Sequence, residues 1–235
     1  MNSCSVISIP GDMPMSDAEE LKRRSACKAA DDVRDHMVLG LGTGSTVRWL
    51  IEELGARKDL KHLQIVSSSQ ESARRAAALG LTIVDPDAID HIDLVIDGVD
   101  QINAQKQVIK GGGGALVREK ILAENAERVL WIMDASKRVT SIEQYTLPVE
   151  IVPFSLPFIE RKLNKMGYGT KLRMHDGSGF LSDNHNLILD VCLAPLTTIQ
   201  EAHIALSSIA GVVETGYFHV SADCITAGTD GLSIW

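Results

Sequence analysis

The stretch Met37-Val-Leu-Gly-Leu-Gly-Thr-Gly-Ser-Thr-Val-Arg-Trp-Leu-Ile-Glu-Glu-Leu54 changes its hydrophobic pattern within a few residues. Met37 to Leu41 is a short apolar run of strand type. Gly40 to Thr46 is a glycine-rich turn, and from Ser45 onward Val47, Leu50, Ile51 and Leu54 fall at helical spacing. Strand, tight turn and helix in that order open a parallel α/β fold.

Working outward, strand-like runs recur at Leu63 to Val66, Leu81 to Val84, Leu94 to Ile96 and Val129 to Met133, with helical patterns between several of them. Ala115 to Ala126 sets Leu116, Ile121 and Leu122 on another helical stripe, again just after a glycine-rich turn. The alternation predicts a doubly wound, Rossmann-like, mostly parallel sheet. From about Leu147 the pattern becomes strand Val149 to Val152, helix Leu156 to Met166, two strands around Lys171 to Met174 and Leu187 to Val191, helix Thr197 to Ile209 and strand Val212 to Phe218. That βαββαβ order predicts a smaller ferredoxin-like α+β domain. The expected division is a flexible N-terminal tail at 1–17, a catalytic domain at 18–146 plus 219–235, and the small domain at 147–218.

Composition excludes several function classes. The 235 residues are 45% hydrophobic and 23% charged, ordinary usage for a globular protein. A net charge of -8 repels nucleic acid and anionic membrane over most of the surface. Cys4, Cys27, Cys192 and Cys224 lack metal-finger or CxxC spacing, which predicts unpaired thiols in a reducing compartment. No basic segment precedes an apolar run near residue 1, and no apolar stretch approaches the roughly 18 residues of a membrane span. A cytoplasmic protein with no nucleic-acid or membrane partner is expected.

Polar clusters mark the carboxyl ends of the predicted strands, where open α/β sheets bind ligands. They are Thr43-Gly-Ser-Thr46, Ser67-Ser-Ser69, Asp97-Gly-Val-Asp100 and Asp134-Ala-Ser-Lys137. The first offers amide groups, hydroxyls and a helix N-terminus, which suits a phosphate dianion; a bare strand-to-helix turn is the other reading. A dinucleotide fingerprint would need glycine at Ser45 and an acidic residue where Ser67 to Ser69 stand, and a triphosphate loop would need a lysine in the turn. Asp97 and Asp100 can face one cleft and do acid-base work, or form a metal site or an Asx turn. The histidines show no metal-ligand spacing, so neither metal nor cofactor is expected.

Lys110-Gly-Gly-Gly-Gly114 runs straight into a helical pattern containing Glu119, flanked by Arg118 and Lys120. Four glycines carry a large entropic cost unless the chain must approach something closely; a linker is the alternative, and a solvated carboxylate is the bland fate of Glu119.

Taken together, Gly40-Leu-Gly-Thr-Gly-Ser-Thr46, Asp97-Gly-Val-Asp100, Lys110-Gly-Gly-Gly-Gly-Ala-Leu-Val-Arg-Glu-Lys-Ile121, Asp134-Ala-Ser-Lys137 and Leu147-Pro-Val-Glu150 resemble the ribose-5-phosphate isomerases of the A type, from about Ala18 to Gly231. The resemblance implies interconversion of ribose 5-phosphate and ribulose 5-phosphate in the non-oxidative pentose phosphate branch, without a cofactor, by a homodimer or larger homo-oligomer. It further implies that Glu119 shuttles the proton, that Asp97 and Asp100 open the ring and orient hydroxyls, and that Lys110 with Gly111, Gly112 and Gly113 surrounds the carbonyl end. Thr43, Gly44, Ser45, Thr46 and Lys137 then bind the sugar phosphate, Gly98 and Val99 line the site, and Lys22 stands on the phosphate side. The family's usual Asp-Gly-Ala-Asp-Glu reads Asp97-Gly-Val-Asp-Gln101 here, one carboxylate fewer. Rival readings are an aminosugar-phosphate deaminase, a sugar-phosphate epimerase or a non-catalytic sugar-phosphate sensor, although no DNA-reading segment is visible.

Overall fold

A computed structural model describes residues 17–142 and 146–235. The first 16 residues, which include Cys4 and nearly all of the expected tail, lie outside the described residues.

In chain order the first half forms α1 (Asp17–Ala30), β1 (Val38–Leu41), α2 (Ser45–Ala56), β2 (Gln64–Ser67), α3 (Gln70–Ala78), β3 (Thr82–Ile83), β4 (Leu94–Gly98), β5 (Gln101–Ile102), β6 (Val108–Ile109), α4 (Leu116–Glu124) and β7 (Val129–Asp134). The second half forms β8 (Leu147–Ile151), α5 (Leu156–Lys165), β9 (Gly169–Leu172), β10 (Met174–His175), β11 (Ser178–Gly179), β12 (Leu187–Cys192), α6 (Ile199–Ser207), β13 (Val212–Thr215), β14 (Tyr217–Phe218), β15 (Asp223–Gly228) and β16 (Gly231–Ile234).

The fold is α/β. A seven-stranded sheet runs in the order β16-β15-β7-β4-β1-β2-β3, parallel except for β16. β1, β4 and β7 are buried almost throughout, which is why they read as continuous apolar runs. On one face α1 and α2 pack Ala26, Ala29, Val47, Leu50, Ile51 and Leu54 against Leu39, Leu41 and Ile96; on the other, Leu122 and Ala123 of α4 join Val95, Trp131 and Phe218. The stripe on α2 is the predicted one.

A second, antiparallel sheet runs β13-β8-β12-β9, backed by α5 and α6, with its core around Val149, Ile159, Leu189 and Leu206. This is the ferredoxin-like order. The expected strand Val212 to Phe218 is two strands, however: β13 pairs with β8 and β14 pairs with β6. The break falls at Gly216, whose N–H donates to Pro148 and whose carbonyl accepts from Lys110, so the chain changes sheets there. The helix expected to reach Ala126 stops at Glu124, because Ala126 bridges to Ile92. Helix α1 was not foreseen from the sequence.

Candidate active site

The carboxyl ends of β1, β4 and β7 meet the glycine loop at 111–114 in one cleft. Each wall follows from local sequence. β1 is followed at once by Gly42, which must lack a side chain: a Cβ there would stand 1.9 Å from Asp97 Oδ1. The turn passes through Gly44 at φ +108, a conformation side chains disfavour, and Gly44 caps α2 without any side-chain hydrogen bond. The first-turn amides of α2, with the Ser45 and Thr46 side chains, are thus left facing the cleft. Thr43 is steadied by a 2.8 Å hydrogen bond between its hydroxyl and that of Ser68.

From the end of β4 and the turn after it come Gly98, Val99 and Asp100, and from the turn after β7 comes Lys137. Asp134 caps that turn by accepting from Ser136 N–H at 2.9 Å. Asp100 Oδ2 accepts from Gly112 N–H at 2.6 Å, tying the acidic turn to the glycine loop.

Beneath this rim lies a buried charge cluster. Lys110 is 3% exposed, and its Nζ stands 2.9 Å from Asp97 Oδ2 and 3.4 Å from Glu119 Oε1. It also donates to Gly98 O and lies 5.4 Å from the Trp131 ring centre and 5.8 Å from that of Phe218. Burial pulls the ammonium down, but the charges of Asp97 and Glu119 outweigh it and hold Lys110 at about 12, fully protonated. Glu119 goes the other way. Burial, with the charges of Asp97 and Asp100, pushes its carboxyl up to about 8 against the pull of Lys110. Burial also raises Asp97, opposed by Lys110 and by N–H groups of Thr43 and Gly98. Glu119 is thereby brought to change state near neutral pH, and its Oε2 is buried with no hydrogen-bond partner among the described residues. The arrangement offers a proton acceptor, a fixed cation and backbone donors around one cleft.

The cleft is lined by Thr43, Gly44, Ser45, Thr46, Gly98, Val99, Asp100, Lys110, Gly111, Gly112, Gly113, Glu119 and Lys137. Two expected site residues stand elsewhere. Asp97 lies below the surface at 1% exposure, its oxygens committed to Lys110, Thr43 and Gly98. Lys22, on α1, pairs at 2.8 Å with Glu19, which also accepts from Arg48 and Trp49; Glu19 lines an adjoining hollow that shares Thr43, Gly44, Ser45 and Gly113 with the cleft. Glu119 is not the solvated helix carboxylate its residue type favours. Gln101 turns its Oε1 into a buried position with no hydrogen-bond partner among the described residues, so the site lacks a charge there rather than holding a substitute.

Sequence reasoning missed Ser68 as the partner of Thr43, and it missed Arg173, which reaches the glycine loop from beside β9. It also gave no sign of Asp35, His36 and His62, whose potential ligand atoms lie within 4.8 Å of one another. That trio is at the opposite end of β1 from the cleft, and Asp35 occupies the facing nitrogen of each ring.

Comparison with known proteins bears on the same residues. Residues 64–231 match the family described as ribose 5-phosphate isomerase A, or phosphoriboisomerase A. Ribose-5-phosphate isomerase A of Levilactobacillus brevis is 41% identical over 215 residues, covering 90% of this chain and 94% of that protein. The enzyme of Bacillus mycoides is 44% identical over 201 residues, covering 84% and 90%. Among solved structures, a D-ribose-5-phosphate isomerase in complex with phospho-erythronic acid superposes with a TM-score of 0.88 at 30% identity, over 94% of this chain and 99% of that one. The ribose 5-phosphate isomerase of Methanocaldococcus jannaschii gives 0.86 at 32% identity, over 92% and 98%.

Proposed function

This chain belongs to the ribose 5-phosphate isomerase A family, and from that premise we propose that Glu119 is the base that carries its proton between carbons. The activity is that of an aldose-ketose isomerase interconverting ribose 5-phosphate and ribulose 5-phosphate.

The observation that carries the proposal is the buried, unpartnered Oε2 of Glu119, a residue that lines the cleft and whose carboxyl is pushed to about 8. In its ionised form Oε2 takes the proton from C2 of the open-chain aldose. The electron pair forms the C1–C2 double bond of an enediolate, whose negative charge faces the Lys110 ammonium. Glu119 then returns a proton to C1 while a hydroxyl proton passes from O2 to O1, leaving the ketone at C2. Lys110 and the glycine-loop amides act as fixed donors, each worth about 3–4 kcal/mol when well aimed.

Asp100, which faces the cleft, is the carboxylate we assign to ring opening and hydroxyl orientation. Asp97 holds Lys110 in place from beneath. The α2 amides, Thr46 and Lys137 bind the phosphate, and Lys22 supports that end through Glu19. Phospho-erythronic acid, the ligand of a solved relative, is then a competitive ligand here, its carboxylate standing in for the enediolate oxygens.

We further propose the division of the chain at 18–146 with 219–235 and at 147–218, supported by the separate cores of the two larger sheets. A cytoplasmic homodimer or larger homo-oligomer completes the reading. It is supported by the absence of disulfides at Cys27, Cys192 and Cys224 and by Phe154 and Phe158, which stand 83% and 58% exposed side by side. Among the described residues no helix is long and apolar enough to cross a membrane.

The deciding experiment is isomerisation in deuterium oxide. Proton transfer through an exchanging carboxyl incorporates solvent deuterium into the product, at a rate that Glu119→Gln lowers in step with turnover. Isomerisation with no incorporation would point to direct hydride transfer and remove the enediolate.

A further inference from the structure

Arg173 lies between β9 and β10, remote in sequence from every motif of the cleft. Its guanidinium is fixed on one side by the Asp190 carboxylate of β12, through both Nε and Nη2. On the other side Nη1 donates to the carbonyl of Gly111 at 2.5 Å and to that of Gly112 at 3.2 Å. The rigid fork of arginine thus grips two successive peptide groups in a segment that has no side chains to restrain it.

The consequence follows from peptide geometry. A trans peptide is planar, with its C=O and N–H pointing in opposite directions. Carbonyls of Gly111 and Gly112 turned toward Arg173 send the N–H groups of Gly112 and Gly113 away from it. The first is taken up by Asp100. The second belongs to a residue that lines the cleft, and no described residue accepts its hydrogen. A cation on the carbonyl side also polarises those peptides, strengthening the N–H as a donor.

We propose that Arg173 is a positioning residue of the isomerase: gripping the Gly111 and Gly112 carbonyls, it holds the Gly113 N–H toward the oxygen that gains charge as the enediolate forms. The proposal rests on the proton-transfer reading given above. It assigns Arg173 no contact with substrate. Its effect is confined to the charged state, so it acts on turnover rather than on ground-state binding.

The test is Arg173→Ala in the full chain, with folding checked by circular dichroism. Misplacing a donor by about 1 Å can cost up to roughly 10²-fold, so kcat should fall about 10- to 100-fold while KM for ribose 5-phosphate moves less than about threefold. Added guanidinium, well below denaturing concentrations, should restore part of kcat, whereas urea at equal concentration should not. Arg173→Lys, whose ammonium cannot grip both carbonyls and Asp190 together, should fall between. Wild-type kcat in the folded Ala variant, a raised KM at constant kcat, or a loss that guanidinium fails to relieve would each overturn the proposal. Deuterium incorporation by the wild type is read alongside. If it is present and Arg173→Ala is unaffected, only the role of Arg173 fails; if it is absent, the proton-transfer reading itself fails.

Discussion

Lys110 Nζ approaches Glu119 only through Oε1, at 3.4 Å, and leaves Oε2 without a hydrogen-bond partner among the described residues. A carboxylate held at one oxygen and open at the other is oriented but not consumed by its ion pair. Asp97, on the opposite side of the same ammonium, is consumed. This asymmetry is the basis on which we propose Glu119 as base and Asp97 as counter-ion, and the following outcomes depend on it.

Glu119→Gln keeps size and hydrogen bonding but removes the proposed base. Loss of a general base costs roughly 10² to 10⁴-fold, and kcat should fall by that order with KM for ribose 5-phosphate nearly unchanged. Glu119→Asp should lie between the two. Retention of more than about a tenth of kcat in the Gln variant would hand the role to Asp100.

The raised carboxyl also fixes two pH responses. If the ionised form is the base, as proposed, kcat/KM of the wild type should climb as pH rises through about 8. In stability the sign reverses. Between the ordinary value of 4.5 and about 8 the unfolded chain gives up this proton while the fold retains it, so the contribution of Glu119 to stability is full below 4.5 and lost by about 8. The melting temperature of Glu119→Gln, relative to wild type, should therefore rise from pH 5 to pH 8; a flat difference would show that Glu119 titrates normally.

Lys110→Met removes the one ammonium from the cluster and leaves buried carboxylates uncompensated. Breaking a buried pair in this way costs about 3–5 kcal/mol, which denaturant unfolding would register. The deficit should shrink as pH falls, since protonated Glu119 and Asp97 no longer need the cation. An equal deficit at all pH values would mean that packing of the lysine stem, rather than charge, was lost.

Thr46→Ala and Lys137→Ala alter cleft residues that we assign to the phosphate, contacts that on this proposal persist from ground state to transition state. Uniform binding of that kind appears in KM. Steady-state kinetics should show KM raised and kcat largely kept; a collapsed kcat at constant KM would place these residues in the chemistry.

Legibility from sequence followed the range of each interaction. The β1 turn into α2 was readable because strand, glycines and helical stripe are adjacent in the chain, and the Lys110 to Glu119 segment was readable for the same reason. Local pattern could not show that Asp97 would be drawn below the surface by Lys110, or that Glu119 would be buried, because both depend on how β4, α4 and β7 stack. The Arg173 grip joins residues from separate sheets and leaves no spacing to read. Lys22 illustrates the converse: the motif around it was visible, yet Glu19, one turn away on the same helix, takes its charge.

Strand β15 enters the seven-stranded sheet beside β7, pairing in parallel from Asp223 with Leu130 to Ala227 with Asp134. Between them the chain makes the entire antiparallel sheet. During synthesis β7, a fully apolar-flanked strand, leaves the ribosome with β4 as a neighbour on one side and nothing on the other. It keeps that raw edge until Asp223–Gly228 is translated. Distant parallel pairing is slow, and an unpaired apolar edge invites association with other chains. The newborn chain thus passes through an interval in which the free edge of β7 is open to pairing with other chains.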